Sequence, residues 1–443
     1  MRSSFTPIAL RSALVASLGG FLFGFDTAVI SGVEKSIQQL WSLDSFSHGF
    51  TVAAALIGTV IGSLAAGAPA EKYGRKRMLQ VIGLLYVVTS LVTALTHAWL
   101  PFVIFRMLGG VGVGASSVVG PLYISEIAPA HNRGRLVALF QFNVVSGILI
   151  AFVSNYFLSD VGEDAWRWML GVQAVPSLLF LLLAFSIPES PRWLSLHQRD
   201  KEARQVLVQV GDPDPDQALQ QIRASVADAG QESLFSGKYG RPIFYAMTLA
   251  IFNQLSGINA IMYYAPRIFE MTGLSKSGAL LQAISIGVTN MIFTLLAIQV
   301  IDRFGRRTLL IIGSVGMVIS LGLVSYVFFS GDFGGYLVMA CLIGFIACFA
   351  FSQGAVIWVF ISEIFPNRVR SAGQTLGSGT HWVMAALVSW TFPIIAEGSA
   401  FGGAYAFALF SGMMLLQLFF AWKTLPETKG QTLEGIQQTL GIH

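Results

Sequence analysis

Apolar stretches long enough to cross a bilayer recur twelve times along the chain, at residues 12–31, 50–69, 78–96, 101–123, 136–157, 168–187, 243–265, 279–301, 309–329, 336–361, 372–395 and 404–422. A helix needs roughly 20 residues to span about 30 Å of hydrocarbon. Barrel strands need only about half that length, so the pattern predicts helices. The first stretch follows Arg2 and Arg11 as a secretory signal would, but its length and the presence of Asp26 predict a retained span. Between the sixth and seventh stretches lies a polar segment, 188–241. It contains helix-like pieces at 201–210 and 216–229 on either side of Gly211-Asp212-Pro213-Asp214-Pro215. Val206, Leu207 and Val210 give the first piece one apolar face, which predicts short docked helices rather than a catalytic domain.

The positions of lysine and arginine orient these spans. Of the 27 basic residues, 22 fall at the two termini and in the loops after spans two, four, six, eight and ten. Only Lys35, Arg167, Arg267 and Lys276 fall on the other face, and Arg106 lies inside span four. The excess predicts that both termini are cytoplasmic.

The chain also repeats itself. Glu71-Lys72-Tyr73-Gly74-Arg75-Lys76 is echoed by Asp302-Arg303-Phe304-Gly305-Arg306-Arg307. Ile124-Ser125-Glu126-Ile127 returns as Ile361-Ser362-Glu363-Ile364, and Pro188-Glu189-Ser190 as Pro426-Glu427-Thr428. The three offsets, 231, 237 and 238, nearly coincide. They predict a duplicated architecture: a six-helix half at 1–187, a cytoplasmic linker with short helices at 188–241, and a second six-helix half with a cytoplasmic tail at 242–443.

Composition narrows the function classes. Fifty-four per cent of the 443 residues are hydrophobic and 11% charged, about half the charge of a soluble chain. A soluble single-core enzyme and a disordered protein are excluded. A net charge of +4 dispersed in short clusters gives no basic face for nucleic acid. Cys341 and Cys348, within one apolar stretch, make no disulfide framework. The six histidines show no metal-ligand spacing, and no nucleophile has a basic partner suggested by sequence, so neither metal, cofactor nor enzyme activity is expected. Gly110-Val111-Gly112-Val113-Gly114 lacks the spacing and preceding strand of a dinucleotide loop and suits close helix packing.

Together these motifs resemble the sugar-porter branch of the major facilitator superfamily, particularly bacterial proton-coupled xylose symporters and, more distantly, glucose facilitators. The resemblance covers about residues 17–434. It rests on Gly74-Arg75-Lys76 and Gly305-Arg306-Arg307, on Pro188-Glu189-Ser190-Pro191-Arg192-Trp193, on Gln254-Leu255-Ser256-Gly257-Ile258-Asn259 with Tyr263-Tyr264, and on Pro426-Glu427-Thr428-Lys429-Gly430. It implies an all-α membrane protein of twelve transmembrane helices in two pseudo-symmetric halves. It also implies alternating-access import of a monosaccharide, a pentose or hexose, across the plasma (inner) membrane. A single chain carries both halves and could work as a monomer.

Asp26 is the only acid, and Arg106 the only base, within the predicted spans. Each is costly alone in hydrocarbon, so each is the other's obvious partner. The pair admits two readings: a static bridge between spans one and four, or a proton site in which Asp26 ionises beside Arg106 and takes a proton when the two separate. The resemblance implies the second, because Asp26 stands where xylose symporters carry their coupling aspartate and facilitators a neutral residue. At the cytoplasmic helix ends, Glu71, Arg75, Glu126, Arg133, Glu189 and Arg192 are answered by Asp302, Arg306, Glu363, Arg370 and Glu427. The resemblance implies that these charges gate the cytoplasmic side, whereas Lys72, Lys76 and Arg77 are read as topology signals.

The remaining polar residues in the spans are uncharged, which suits a neutral polyol: amides donate and accept, and aromatic rings cover C–H faces. The resemblance places Gln141, Asn253, Gln254, Asn259, Tyr263, Asn290, Trp358 and Trp382 at sugar-lining positions. For Asn290 a helix–helix hydrogen bond is equally open, and Tyr264 reads as a gate or packing residue. The chain departs from the family at Ile148, where a second glutamine is common, at Asn253-Gln254 in place of two glutamines, and at His381, where a sugar-binding glutamine is usual. His381 is either a packing residue or a ligand that titrates near physiological pH. Three functions therefore stand: proton–sugar symport; sugar uniport, which Asp26 disfavours; and, from another class, a non-transporting sugar sensor. A sensor would be expected to carry long cytoplasmic tails, and only about twenty residues follow the last span.

Overall fold

The computed structural model describes residues 6–129, 133–227, 233–333, 336–366 and 368–429. Among them every regular element is helical. Eleven apolar helices are long enough to span a membrane: Pro7–Gly32, Ser45–Ala65, Arg75–Leu95, Trp99–Ile127, Gly134–Leu158, Ala165–Ala184, Lys276–Ile301, Arg306–Ser330, Leu337–Ile364, Arg370–Glu397 and Gly402–Lys423. The twelfth expected span, seventh in chain order, is present as two helices, Gly240–Leu255 and Ile258–Met271. It breaks because Gly257 is left-handed, with φ of 83°, a conformation that only glycine adopts without strain. A side chain there would also run into the Phe410 ring. The tenth span is interrupted at Ser352, between Leu337–Phe351 and Gln353–Ile364.

By contacts the chain forms two compact units. One comprises Met1–Thr27, Ile57–Ala151 and Glu163–Gly230; the other comprises Ala28–Leu56, Phe152–Gly162 and Gln231–His443. This partition differs from the linear one at 187 and 241, because parts of the first, second and fifth spans pack within the second unit.

In the first unit, helices approach through glycine. A Cβ on Gly24 would strike the Val144 backbone, and one on Gly147 would strike the Phe21 backbone, so the first and fifth spans touch main chain to main chain. The linker forms helices Pro191–Leu196, Asp200–Gln209 and Pro215–Ala227. Val206, Leu207 and Val210 are buried, as the apolar face predicted. Large residues such as Leu91, Leu95, Leu178, Leu182 and Phe185 remain exposed along the helices, where lipid rather than water is their natural solvent.

Candidate functional site

In the first unit, Arg106 Nη1 donates to Asp26 Oδ1 at 2.8 Å. Both residues are at least 95% buried, so the one charged pair predicted within the spans does form. Contact is through a single nitrogen, which leaves the fork of the guanidinium unused. Gln141 is half-buried on Arg133–Leu158 of the same unit.

In the second unit, the broken seventh span assembles an amide chain. Asn259, just past the break, donates Nδ2 to Gln254 Oε1 at 2.9 Å. Gln254 Nε2 donates to Asn253 Oδ1 at 2.9 Å, and Asn253 Nδ2 reaches the carbonyl of Gln353 at 3.5 Å. Every amide in this series passes its donor in one direction, which fixes the orientation of all three. The break itself is bridged by Ser256, whose Oγ donates to Asn253 O at 2.6 Å and accepts from Ile258 N at 3.3 Å.

Gln254 Nε2 also lies 3.2 and 3.3 Å from the two ring nitrogens of His381. Only an imidazole nitrogen without a proton can accept this bond, and imidazolium has none. Trp358 and Trp382 flank His381 with ring centroids 4.9 and 4.8 Å away. Trp358 is 37% exposed, so part of its ring is free to meet a ligand. Tyr263 is buried, and Asn290 lies near the limit of burial with no hydrogen bond from its amide among the described residues. Tyr264 is fully buried: its ring lies 5.1 Å from Phe392, and its hydroxyl donates to Ser389 O at 3.2 Å. A cluster rich in amides and indoles, without a carboxylate among these residues, can exchange hydrogen bonds with hydroxyls and cover apolar ring faces. No group of metal-ligating side chains occurs among the described residues.

The repeated charged motifs build matching networks, one in each unit. Arg75 grips Glu126 with Nε and Nη2, both at 2.9 Å; Arg306 grips Glu363 at 3.2 and 2.7 Å. Ser190 and Thr428 each donate to the corresponding glutamate at 2.6 Å. Glu189 and Glu427 do something sequence did not suggest. Glu189 accepts the main-chain N–H groups of Arg75 and Lys76 at 3.0 and 3.1 Å, and Glu427 those of Arg306 and Arg307 at 2.9 and 3.1 Å. They are remote N-terminal caps for the third and ninth spans, which have no local side-chain cap. Burial pushes the Glu189 carboxyl above its ordinary value, opposed by these amides and by the Arg75 charge.

Other predicted gating charges stand outside the two networks. Glu71 and Arg192 are exposed, and Glu71 contributes its carbonyl to Trp193 Nε1 at 2.7 Å. Arg370 donates Nε to Phe365 O at 3.4 Å, and its buried Nη2 finds no acceptor among the described residues. The side chains of Arg133 and Asp302 lie outside the described residues.

Buried charge also occurs outside the predicted spans. In the second unit, Glu34, 2% exposed, accepts from Arg267 Nη1 at 3.1 Å and lies 2.7 Å from Nε2 of fully buried His48. The His48 contact is close but does not have the geometry of a hydrogen bond. Arg267 also bonds Gln38 at 3.0 Å and pairs with Glu397, while Lys35 pairs with Glu270. A cavity of about 500 Å³ opens beside Glu34, Lys35, Arg267 and Glu270. Sequence offered only one signal for this cluster, the sparse cations Lys35 and Arg267 on the less basic face.

Residues 12–440 match the family described as "Sugar (and other) transporter". The chain is 37% identical over 464 residues to the D-xylose-proton symporter of Escherichia coli (strain K12), covering 96% of this chain and 94% of that protein. It is 36% identical over 447 residues to the glucose transport protein of Synechocystis sp., covering 95% of each. Among solved structures, the partially occluded inward-open conformation of the Escherichia coli xylose transporter matches with a TM-score of 0.86 at 35% identity, covering 96% of this chain and 99% of that one. These relatives are transporters and not enzymes. With its apolar helices, paired motifs and near-complete coverage, the chain belongs to the sugar porter family of the major facilitator superfamily.

Proposed function

We propose that this protein is a proton-coupled symporter that imports a monosaccharide, a pentose or hexose, by alternating access, working as a monomer in the inner membrane with both termini cytoplasmic. The observation that carries the reading is the buried Asp26–Arg106 pair. A carboxylate beside arginine stays ionised; one that loses this partner in an apolar setting takes up a proton. Asp26 can thus bind and release a proton as the pair opens and closes, whereas a uniporter has no need of a buried acid. The relatives named as a xylose–proton symporter and a glucose transport protein support the substrate class. The amide and indole cluster around Gln254, Asn259, His381 and Trp358 supports a neutral polyol as cargo. Arg75–Glu126 and Arg306–Glu363, with their glutamate caps, are assigned to cytoplasmic gating, in which one half rocks against the other around a site near the midplane.

One proton moving down 100 mV and one pH unit releases roughly 3.7 kcal/mol, enough to hold about a 500-fold sugar gradient. The test is a panel of labelled sugars taken up by proteoliposomes with and without a protonophore, comparing the native chain with Asp26→Asn. Accumulation that collapses with the protonophore and vanishes in the variant, while sugar exchange persists, is the expected result. Undiminished pH-driven accumulation by Asp26→Asn would overturn the assignment of the proton site. Protonophore-insensitive equilibration by the native chain would make it a uniporter.

A further inference from the structure

Residues 28–56 belong to the first half by the internal repeat but pack within the second unit, and charged side chains help to hold them there. Arg267, on the second piece of the seventh span, donates through Nη1 to Glu34 at 3.1 Å and to Gln38 at 3.0 Å, and pairs through Nη2 with Glu397. Glu397 ends the eleventh span and also accepts from Ser45 Oγ at the head of the second. Lys35 and Glu270 add a partly exposed tie between the same segments. Beside them Trp390 donates Nε1 to Phe46 O at 3.2 Å, with the Phe46 and Phe50 rings 5.2 and 5.1 Å from its own. Alternating access requires such ties between the repeated halves to part and re-form.

Parting them poses one electrostatic problem. Arg267 keeps Glu397, which lies in its own half, but Glu34 loses Arg267 and becomes a buried carboxylate in need of another cation. The group at hand is His48. Its Nε2 lies 2.7 Å from Glu34 Oε2, the same oxygen that Arg267 holds, and His48 and Glu34 share the segment 28–56. Though the imidazole is fully buried, neither of its nitrogens makes a hydrogen bond among the described residues, an idle state rare for a buried polar group. The other titratable groups near it supply no cation. Tyr264 meets the ring edge-on at 5.9 Å with its hydroxyl committed to Ser389 O, and Asp44, exposed at the head of the same helix, accepts from Ser47 N. The cavity lined by Glu34 and Arg267 is wide enough to carry water to the cluster.

We propose that Arg267 latches the outer ends of the first two spans to the seventh and eleventh, and that His48 releases this latch by taking a proton and replacing Arg267 as the partner of Glu34, so that an acidic exterior favours the form open to the outside. The proposal rests on the alternating-access reading and on the less basic face being external. The two acids and one arginine then separate as two neutral pairs, Arg267 with Glu397 and Glu34 with protonated His48. The proton passes from external water to a ring nitrogen of His48 and returns to water when Arg267 re-engages Glu34. It is distinct from the proton carried on Asp26.

The test is the distance between spin labels on cysteines placed at Gln39 and Lys276, which line opposite walls of that cavity, with Cys341 and Cys348 replaced by alanine. Labelled full-length protein in nanodiscs is measured from pH 8 to pH 5, the range in which imidazole titrates. The ratio of long to short distances should rise about tenfold as the pH falls, the effect of a tenfold difference in proton affinity between the two forms. His48→Gln cannot supply the replacement charge and should keep the pH 8 distribution throughout. Arg267→Gln and Glu34→Gln should both favour the long distance at every pH and flatten the response. Melting temperature and sugar binding, measured alongside, report folding; should His48→Gln fail to fold, the other two variants decide. A native ratio that does not change with pH, or a response that His48→Gln retains, overturns the proposal. A response lost in Asp26→Asn but kept in His48→Gln belongs to the proton site, so the symport reading stands while the latch falls. Native sugar uptake that ignores a protonophore removes symport and leaves a pH-dependent latch standing.

Discussion

Removing the Asp26 charge while leaving Arg106 in place should destabilise the protein by a predictable amount, and removing both charges should largely undo the harm. The two groups are 2.8 Å apart and each is at most 7% exposed in its side chain. At an effective dielectric constant of about 20, two unit charges at that distance attract by roughly 6 kcal/mol. Stripping one partner from a buried pair typically costs about 3–5 kcal/mol, because the other charge stays buried and unpaired. Asparagine retains an oxygen to accept from Nη1, so the loss in Asp26→Asn belongs to charge rather than to the hydrogen bond, and the lower end, about 3 kcal/mol, is expected. For a folding unit of about 200 residues this lowers the melting temperature by about 6 °C or more. Asp26→Asn combined with Arg106→Gln leaves neither charge of this pair and should melt within about 3 °C of the native protein. Thermal unfolding of purified protein in detergent at low chloride measures all three. A single variant as stable as the native chain, or a double variant less stable than the single, would refute the account of this pair as mutually neutralising buried charges.

Two further substitutions probe the amide cluster and its support. His381→Gln should retain an acceptor for Gln254 Nε2 and add a donor, so sugar affinity is expected to rise about tenfold, the effect of one net hydrogen bond; identical affinity and selectivity between pH 6 and pH 8 would remove His381 from the site. Gln353, which bonds Gln417, and Gln417, whose Nε2 donates to Ser314 Oγ at 2.9 Å, are both at least 99% buried. Gln353→Leu strands the Gln417 carbonyl and should cost about 1–3 kcal/mol, whereas Gln353→Leu with Gln417→Leu should recover most of it; equal melting temperatures for the single and double variants would contradict that.

What could be read from the sequence depended on whether the information was local. Eleven spans were legible because a run of some twenty apolar residues is itself the signal. The break in the seventh was not, since hydrophobicity continues across Leu255-Ser256-Gly257 and one glycine among 46 announces nothing until its φ is known. Asp26 and Arg106 were legible as a pair because no other charge lies inside the predicted spans. Glu34, His48, Arg267 and Glu397 were not, because they come from separate segments and each alone looks like an ordinary residue near a helix end. The position of Glu189 and Glu427 in a repeated motif was plain from sequence. Their use as helix caps was not, because it depends on how a distant chain segment presents its amides.

Those caps depend on two residues with no functional groups. Gly74 and Gly305 precede the third and ninth spans with φ of 98° and 89°, and a Cβ on either would intrude on the carboxylate of Glu189 or Glu427. An alanine at the glycine would therefore act as a mutation of the distant glutamate, pushing the carboxylate off the amides it covers. Each glycine is thus held twice over: by the carboxylate that fills the space a side chain would need, and by a left-handed φ that would strain any side chain even with the acid removed. Because the arrangement occurs once in each unit, the same double constraint acts at two separate places in the protein.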